Sequence, residues 1–238
     1  LVSHQPALNI ESRQSSLVRE LRKRAGSVQL LRIGVPVHHR HSQAHDTAQR
    51  SRSFLFASMA ACVASQSGVF DVILPDNGVV SLNLPINDQL IGAKATRSTH
   101  PKFFQLFNKF VNQVLHTPVQ IGNPFWERTR AEVLDVLKKT GNEDLLQETI
   151  SCSKTRGRTN AQPQCGYCSQ CVDRRFGVLA ADLEEHDLTE KYGLEFFTHE
   201  LPEGEALTVV TSYVRLALRL DSMDESSLFS EFPQLHDC

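Results

Sequence analysis

Apolar positions along the chain switch repeatedly between two periods. The run over residues 28–37, VQLLRIGVPV, is apolar almost without interruption, as in a strand buried on both faces. Residues 70–74 (FDVIL) and 119–121 read as shorter strands of the same kind, and Leu1-Val2-Ser3 reads as the end of another. Between these runs the period lengthens to that of a helix. Residues 12–24 place Leu17, Val18 and Leu21 on one face, with Gly26 as the stop. Residues 48–67 carry Phe54, Leu55, Met59, Ala60, Cys62 and Val63, while Ala57, Ala61 and Ala64 are small enough to lie close on a sheet. Cys62 is expected in that core. Pro101 opens a helix to residue 115, with Phe103, Phe104, Phe107 and Phe110 on its apolar side.

Thr129 and Glu132 form a T-x-x-E capping box for a helix that runs to Lys139 and stops at Gly141. A short helical piece at 143–147 follows. A helix over 172–185 is capped by Asp173, and another over 205–220 lines up Leu207, Val210, Val214 and Leu218. Residues 75–99 read as a long functional loop that turns at Asn77-Gly78. Residues 186–200 read as irregular. The end, from Ser222, is rich in Ser, Asp and Glu, with Leu228, Phe229 and Phe232 as docking residues and Cys238 as an exposed thiol.

Strand and helix in alternation predict an α/β fold, a parallel sheet flanked by helices, over residues 1–150. Residues 151–220 are expected to form a metal-binding and helical region packed on it, and 221–238 a tail. No run of eighteen apolar residues occurs, so no membrane span is expected. The opening residues lack the basic-then-apolar order of a signal peptide. A net charge of −2 gives no overall basic field for nucleic acid.

The chemistry concentrates in SCSKTRGRTNAQPQCGYCSQCVDRRFG, residues 151–177. Cys152, Cys165, Cys168 and Cys171, four of the six cysteines, are spaced C-x12-C-x2-C-x2-C. Sulfurs at i, i+3 and i+6 converge if the backbone makes a tight knuckle, and Gly157 and Gly166 permit one. Four thiolates in a closed shell suit a structural zinc ion. An iron–sulfur cluster also uses close cysteines, but its usual C-x3-C-P ending is absent. Disulfides would suit an exported chain. Thiols and a metal point instead to the cytoplasm.

Loops at the carboxyl ends of parallel strands line the ligand crevice in folds of this class. Here they are 38–50, 75–100 and 122–130; they carry Arg50, Asn77, Gly78, Asn83, His100 and Arg130, with Arg52 and Ser53 just after the first of them in the opening turns of the next helix. Cations and amides together suit a nucleotide. His38, His39, His41 and His45 fall in the first loop, with a spacing that suits exposed polar chain better than a metal knuckle. Neither a Walker loop nor G-x-G-x-x-G is present.

The cysteine segment, with Arg174 and Gly177 behind it, resembles the zinc site of the 7-cyano-7-deazaguanine synthase family, in the adenine nucleotide alpha-hydrolase-like (ATP pyrophosphatase) group. SRSFLFASMAACVA resembles that family's helix opening on an arginine and a small polar residue, here Arg52 and Ser53. NPFWERTRAEV resembles its threonine–lysine–glutamate segment, with Arg130 in place of the lysine. VILPDNGVVSLNLP stands where the family's substrate loop stands and matches it poorly. The resemblance implies ATP and Mg2+ as cosubstrate and ion, zinc as a structural ion, and phosphate contacts from Arg52, Arg130 and Arg174. Asn77 and Asn83 would read a heterocycle. The implied reaction adenylates a carboxylate, which ammonia or an amine then converts to an amide or nitrile. A deazapurine or a peptide amine would be the substrate, in queuosine biosynthesis or, for a divergent member, among protein partners of an anti-phage defence cassette. LVSH resembles the family's second strand. The family's first strand and S-G-G-x-D-S phosphate loop are therefore expected in a longer native protein, and the chain as given is expected to bind ATP poorly.

Two other classes compete. One is a non-catalytic nucleotide- or protein-binding module that keeps the fold and the zinc. The other is a knuckle gripping RNA through Lys154, Arg156, Arg158, Arg174 and Arg175, against which the low overall charge weighs.

Overall fold

The computed structural model describes residues 1–4, 8–34, 52–85, 99–155 and 157–237. In chain order the regular elements are β1 (Val2–His4), α1 (Leu8–Ala25), β2 (Leu31–Ile33), α2 (Arg52–Ser67), β3 (Asp71–Ile73), α3 (Gly78–Leu82), α4 (Pro101–Leu115), β4 (Gln120–Gly122), α5 (Arg130–Lys139), α6 (Ser169–Ala180), α7 (Glu205–Asp221) and α8 (Glu225–Glu231). They fall into two compact units: Leu1–Ala7, Ser27–Glu127 and Pro233–Cys238 form one, Leu8–Gly26 and Arg128–Phe232 the other.

The first unit is α/β, as the alternating pattern predicts. β1 pairs in parallel with β2, Val2 opposite Leu31, and β3 pairs in parallel with β4, Asp71 opposite Gln120. α2 and α4 cover β3 and β4. Ala57, Ala61 and Ala64 of α2 meet Phe104, Phe107 and Val111 of α4 over Val119 and Ile121. Alanines at i, i+4 and i+7 let the helix approach closely, and the phenylalanines fill the volume left. Cys62 departs from the sequence expectation and is exposed. Five positions after Ala57 it lies about 140° round the helix, away from the alanine stripe.

Asn108 is the polar exception in this core. Its Nδ2 donates to the Ile121 carbonyl at 2.9 Å, and its Oδ1 accepts from the Ile121 N–H at 2.9 Å. One buried amide thus stands in for a fifth strand along β4. Asn108→Ala leaves both backbone groups buried without partners, an expected cost of about 2–4 kcal/mol. A chemical denaturation midpoint unchanged from wild type would contradict this.

The second unit is helical. α5 and α6 pack through Leu134, Val178, Ala181 and Leu183, joined by Leu146. The capping box at Thr129 and Glu132 forms as the sequence indicates. α1 belongs here rather than with the strands that flank it. Its Arg24 donates to Asn142 at 2.7 Å and pairs with Asp144. α6 begins and ends earlier than the pattern suggests, over Ser169–Ala180, with Cys168 rather than Asp173 at its N-cap position. The last stretch is not a loose tail. Asp224 caps α8, Arg219 pairs with Glu231 and lies 5.6 Å from the Phe232 ring, and Phe232 is buried. No described helix is long and apolar enough to cross a membrane.

Candidate functional site

All four knuckle cysteines are buried, and one sulfur from each lies within 4.8 Å of every other. Tetrahedral zinc with bonds of about 2.3 Å sets its sulfurs about 3.8 Å apart. The Cys165 and Cys171 sulfurs are 3.9 Å apart. The donor set is all sulfur and the shell is closed, so the cluster fits a structural zinc knuckle and offers no open position for catalysis. Backbone amides are aimed at the sulfurs. Lys154 N–H donates to Cys152 Sγ at 3.3 Å, Cys165 N–H to the same sulfur at 3.4 Å, and Cys168 N–H to Cys165 Sγ at 3.3 Å. Hydrogen bonds among the sulfurs split their acidities: the Cys152 and Cys168 thiols are pulled down, the Cys165 and Cys171 thiols pushed up. A bound dication removes that conflict by favouring thiolate at every position.

The turn that brings the sulfurs together depends on Gly166. Its φ is +90°, and a Cβ there would sit 1.8 Å from the Leu194 carbonyl oxygen. No other residue type fits. Beneath the knuckle, Gln164 is buried and bridges two segments: its Oε1 accepts from Ser151 N–H at 3.3 Å, and its Nε2 donates to Tyr192 Oη at 3.0 Å. Tyr192 in turn donates to Asp187 at 2.7 Å. Burial pushes the Tyr192 hydroxyl well above its ordinary range.

Asp187 is the centre of this support. Arg174 reaches its Oδ1 from Nε at 2.9 Å and from Nη2 at 2.8 Å, and Arg175 Nη1 lies 3.2 Å from its Oδ2. Arg174 also donates to Thr149 Oγ1 at 2.7 Å and to the Leu146 carbonyl at 2.9 Å. Arg175 is further paired with Glu195 at 2.7 Å. With Arg174 at 3% and Arg175 at 6% exposure, neither faces solvent. The sequence-based expectation that Arg174 touches phosphate meets a guanidinium whose donors are spent inside the unit. The same burial takes two cations from the RNA-gripping alternative. A third, Lys154, is paired with Glu205.

Arg130 opens α5, and its Nε donates to Asp173 Oδ2 at 2.6 Å. Its aliphatic stem lies across Gly177 of α6, where a Cβ would come within 2.2 Å of Arg130 Cγ. The R-x-x-G pattern therefore has two structural meanings. Arg174 anchors Asp187, and Gly177 leaves room for Arg130.

In the first unit the remaining candidates sit at two helix starts. Arg52 and Ser53 open α2, Arg52 exposed and Ser53 half-buried. Asn77 caps α3, its Oδ1 accepting from Val80 N–H at 3.0 Å; Gly78 is the first helical residue, and Asn83 closes the helix in the left-handed region at φ 43°. A short helix thus replaces part of the expected loop. Around it lies a buried polar cluster that sequence reasoning missed. Asn123 Nδ2 donates to the Asp76 carbonyl at 2.6 Å and to Ser81 Oγ at 3.0 Å, and Thr99 Oγ1 donates to Asp76 Oδ2 at 3.0 Å. Ser81 and Thr99 hydroxyls are 3.0 Å apart. His100 is buried beside Thr99, and its Nδ1 accepts from Lys102 N–H at 3.1 Å. The cluster follows the carboxyl ends of β3 and β4, the side where folds of this class bind ligands. The histidine series from His38 to His45, and Arg50, Arg156 and Cys238, lie outside the described residues.

A parallel-stranded α/β unit joined to a four-cysteine knuckle defines a zinc-knuckle α/β protein. Residues 8–182 match the family described as queuosine biosynthesis protein QueC, and the chain belongs to that family. No curated protein matches it. At family level its function is ATP-dependent and 7-cyano-7-deazaguanine-synthase-like.

Proposed function

We propose that the chain is part of an ATP-dependent ligase that converts a carboxylate on a deazapurine to an amide or nitrile. The observation that carries this reading is the family match, which spans both α2 and the whole knuckle. In the proposed reaction a carboxylate oxygen attacks the α-phosphorus of ATP and pyrophosphate leaves. Ammonia, or an amine, then attacks the acyl carbon and AMP leaves, which gives the amide; the nitrile forms only from ammonia and needs a second ATP, whose α-phosphorus takes the amide oxygen so that it leaves as AMP while the nitrogen loses its two protons. Mg2+ accompanies ATP and offsets phosphate charge. Arg52 with Ser53 at the start of α2, and Arg130 at the start of α5, are the candidate phosphate contacts. Each stands where backbone N–H groups also favour an anion. Asn77, Gly78 and Asn83, with the polar cluster beside them, are the candidate heterocycle contacts. Four sulfurs leave zinc no catalytic opening, so the knuckle's part is to hold α6 and the segments around it.

The test is product analysis. The protein is incubated with Mg-ATP, ammonium and a carboxylated 7-deazapurine. AMP, pyrophosphate and the nitrogen-bearing product are expected together. Arg52→Ala should weaken ATP binding by about 1.5–3 kcal/mol, the value of a charged hydrogen bond. ATP turnover without acyl transfer to nitrogen, or no turnover at all, would turn the reading towards a binding module.

A further inference from the structure

One basic residue beside the knuckle has no anion. Of the described cations in residues 151–177, Lys154 pairs with Glu205, and Arg174 and Arg175 share Asp187. Arg158 is half-buried, and its guanidinium makes no hydrogen bond or ion pair with a described residue. Its Nε is enclosed by protein and meets no acceptor. Leaving a buried charged donor unmet is unfavourable, so such an atom marks a place where an acceptor belongs.

The guanidinium lines a cleft of about 440 Å³, together with Tyr167, Leu194, Pro202, Glu203 and Ala206. The cleft is built to hold it. Gly193 N–H donates to the Gln164 carbonyl at 2.8 Å, which pins this backbone under the knuckle. Because Gly193 has no side chain, Arg158 Nη1 can lie against it; a Cβ there would come within 2.9 Å of that nitrogen. Tyr167 is held as well, with Lys154 Nζ 4.7 Å from its ring centroid. The start of α7 forms another wall. Its N-cap residue, Gly204, offers no side chain to the first amides of this 17-residue helix, so that wall adds to the pull on a negative charge.

The walls also say which anion fits. Leu194, Pro202, Ala206 and the Tyr167 ring give the cleft an apolar part, which favours a ligand with a carbon body as well as a charge. Glu205 is neutralised by Lys154, whereas Glu203 is exposed and has no ion pair among the described residues. Its charge tells against a doubly charged phosphate and tolerates a monoanion that Arg158 can match. A guanidinium presents paired N–H groups in the geometry a carboxylate accepts.

We infer that this cleft binds a small organic carboxylate with a flat or apolar body, its oxygens on Arg158 and its body against Tyr167, Leu194 and Pro202. Gly193 to Ala206 lie beyond residue 182, where the family match ends, and none of the lining residues is a candidate contact for ATP or the heterocycle. The inference stands apart from the ligase reading.

The test uses the zinc-loaded 238-residue chain at constant ionic strength. Benzoate is the probe, benzamide its neutral counterpart, and inorganic phosphate the competing anion. Titrations are followed on the Arg158 Nε–H resonance and by calorimetry. Benzoate should move that resonance saturably, and benzamide should bind at least about tenfold more weakly, as expected for loss of a charged hydrogen bond. Arg158→Gln should lose benzoate to the same degree while keeping its zinc and melting temperature. Should that variant fail to fold, Gly193→Ala takes its place: the added Cβ meets the tip of a flexible arginine, and benzoate binding should again fall. Glu203→Gln should raise the affinity for phosphate. Benzamide equal to benzoate, phosphate tighter than benzoate in the wild type, or no saturable shift at Arg158 would each overturn the inference. A chain that binds benzoate and turns over no ATP keeps the cleft and removes only the ligase reading.

Discussion

Cys168→Ala is expected to strip the metal from the protein and to lower its melting temperature by on the order of 10 °C. Structural zinc in small domains contributes about 10–16 kcal/mol of apparent binding energy at neutral pH, and where the site exists only when folded this is folding energy. Loss of even a third of it would move the transition of a chain this size by roughly 10 °C. Cys168 suits the test because it both supplies a sulfur and stands at the N-cap position of α6. Without metal its three partners are left buried, the Cys165 and Cys171 thiols pushed up and the Cys152 thiol pulled down. Elemental analysis should find about one zinc per wild-type chain and little in the variant, and both proteins should be colourless. Cys62→Ala is the control, because that thiol is exposed on α2. An unchanged melting temperature and metal content in Cys168→Ala would remove the metal centre altogether. Chelation of the wild type at neutral pH should reproduce the variant, and zinc should reverse only the chelation.

The four cysteines were legible in the sequence because metal ligation is carried by residue type and spacing, both of which a sequence displays. The strand–helix alternation was legible for the same reason: buried parallel strands leave apolar runs, and helices leave a 3.6-residue repeat. Three features were hidden. Cys62 looked like core because a helix covered with small and apolar residues hides which face is inward; the alanine stripe decides it. The cluster of Asp76, Ser81, Thr99 and Asn123 joins residues up to 47 positions apart, and no local pattern marks them. A cation beside a metal loop, such as Arg174, invites an anion, and the anion it meets is Asp187, thirteen residues on, in a stretch with no periodicity. Gly177 shows the same limit from the other side. The sequence shows a glycine, and only the packing shows that Arg130 occupies the space.

Asp187→Ala should cost about 3–5 kcal/mol, because it removes the carboxylate that two buried guanidinium groups share. Asp187 is itself 2% exposed and accepts from Arg174, Arg175 and the Tyr192 hydroxyl. An exposed pair would be screened and worth little. Here solvent cannot replace the lost partner, and Arg174 would keep only the neutral acceptors Thr149, Ser151 and the Leu146 carbonyl. The positive charge then stays buried or drags the segment open. Because Tyr192 also holds Gln164, which bridges to Ser151 beside Cys152, the damage should spread to the knuckle. Calorimetry with zinc in excess should show a transition roughly 10 °C lower, and limited proteolysis should cut first near residues 187–200. Arg174→Met paired with Asp187→Leu distinguishes the structural role from a phosphate-binding one. If Arg174 serves Asp187, the double variant should be less damaged than the sum of its parts, with a coupling of about 0.5–3 kcal/mol. If Arg174 serves a nucleotide, Arg174→Met alone should weaken nucleotide binding while the melting temperature stays put. The geometry calls for the first result: the guanidinium points inward at the carboxylate, and its N–H groups meet acceptors within 3.4 Å.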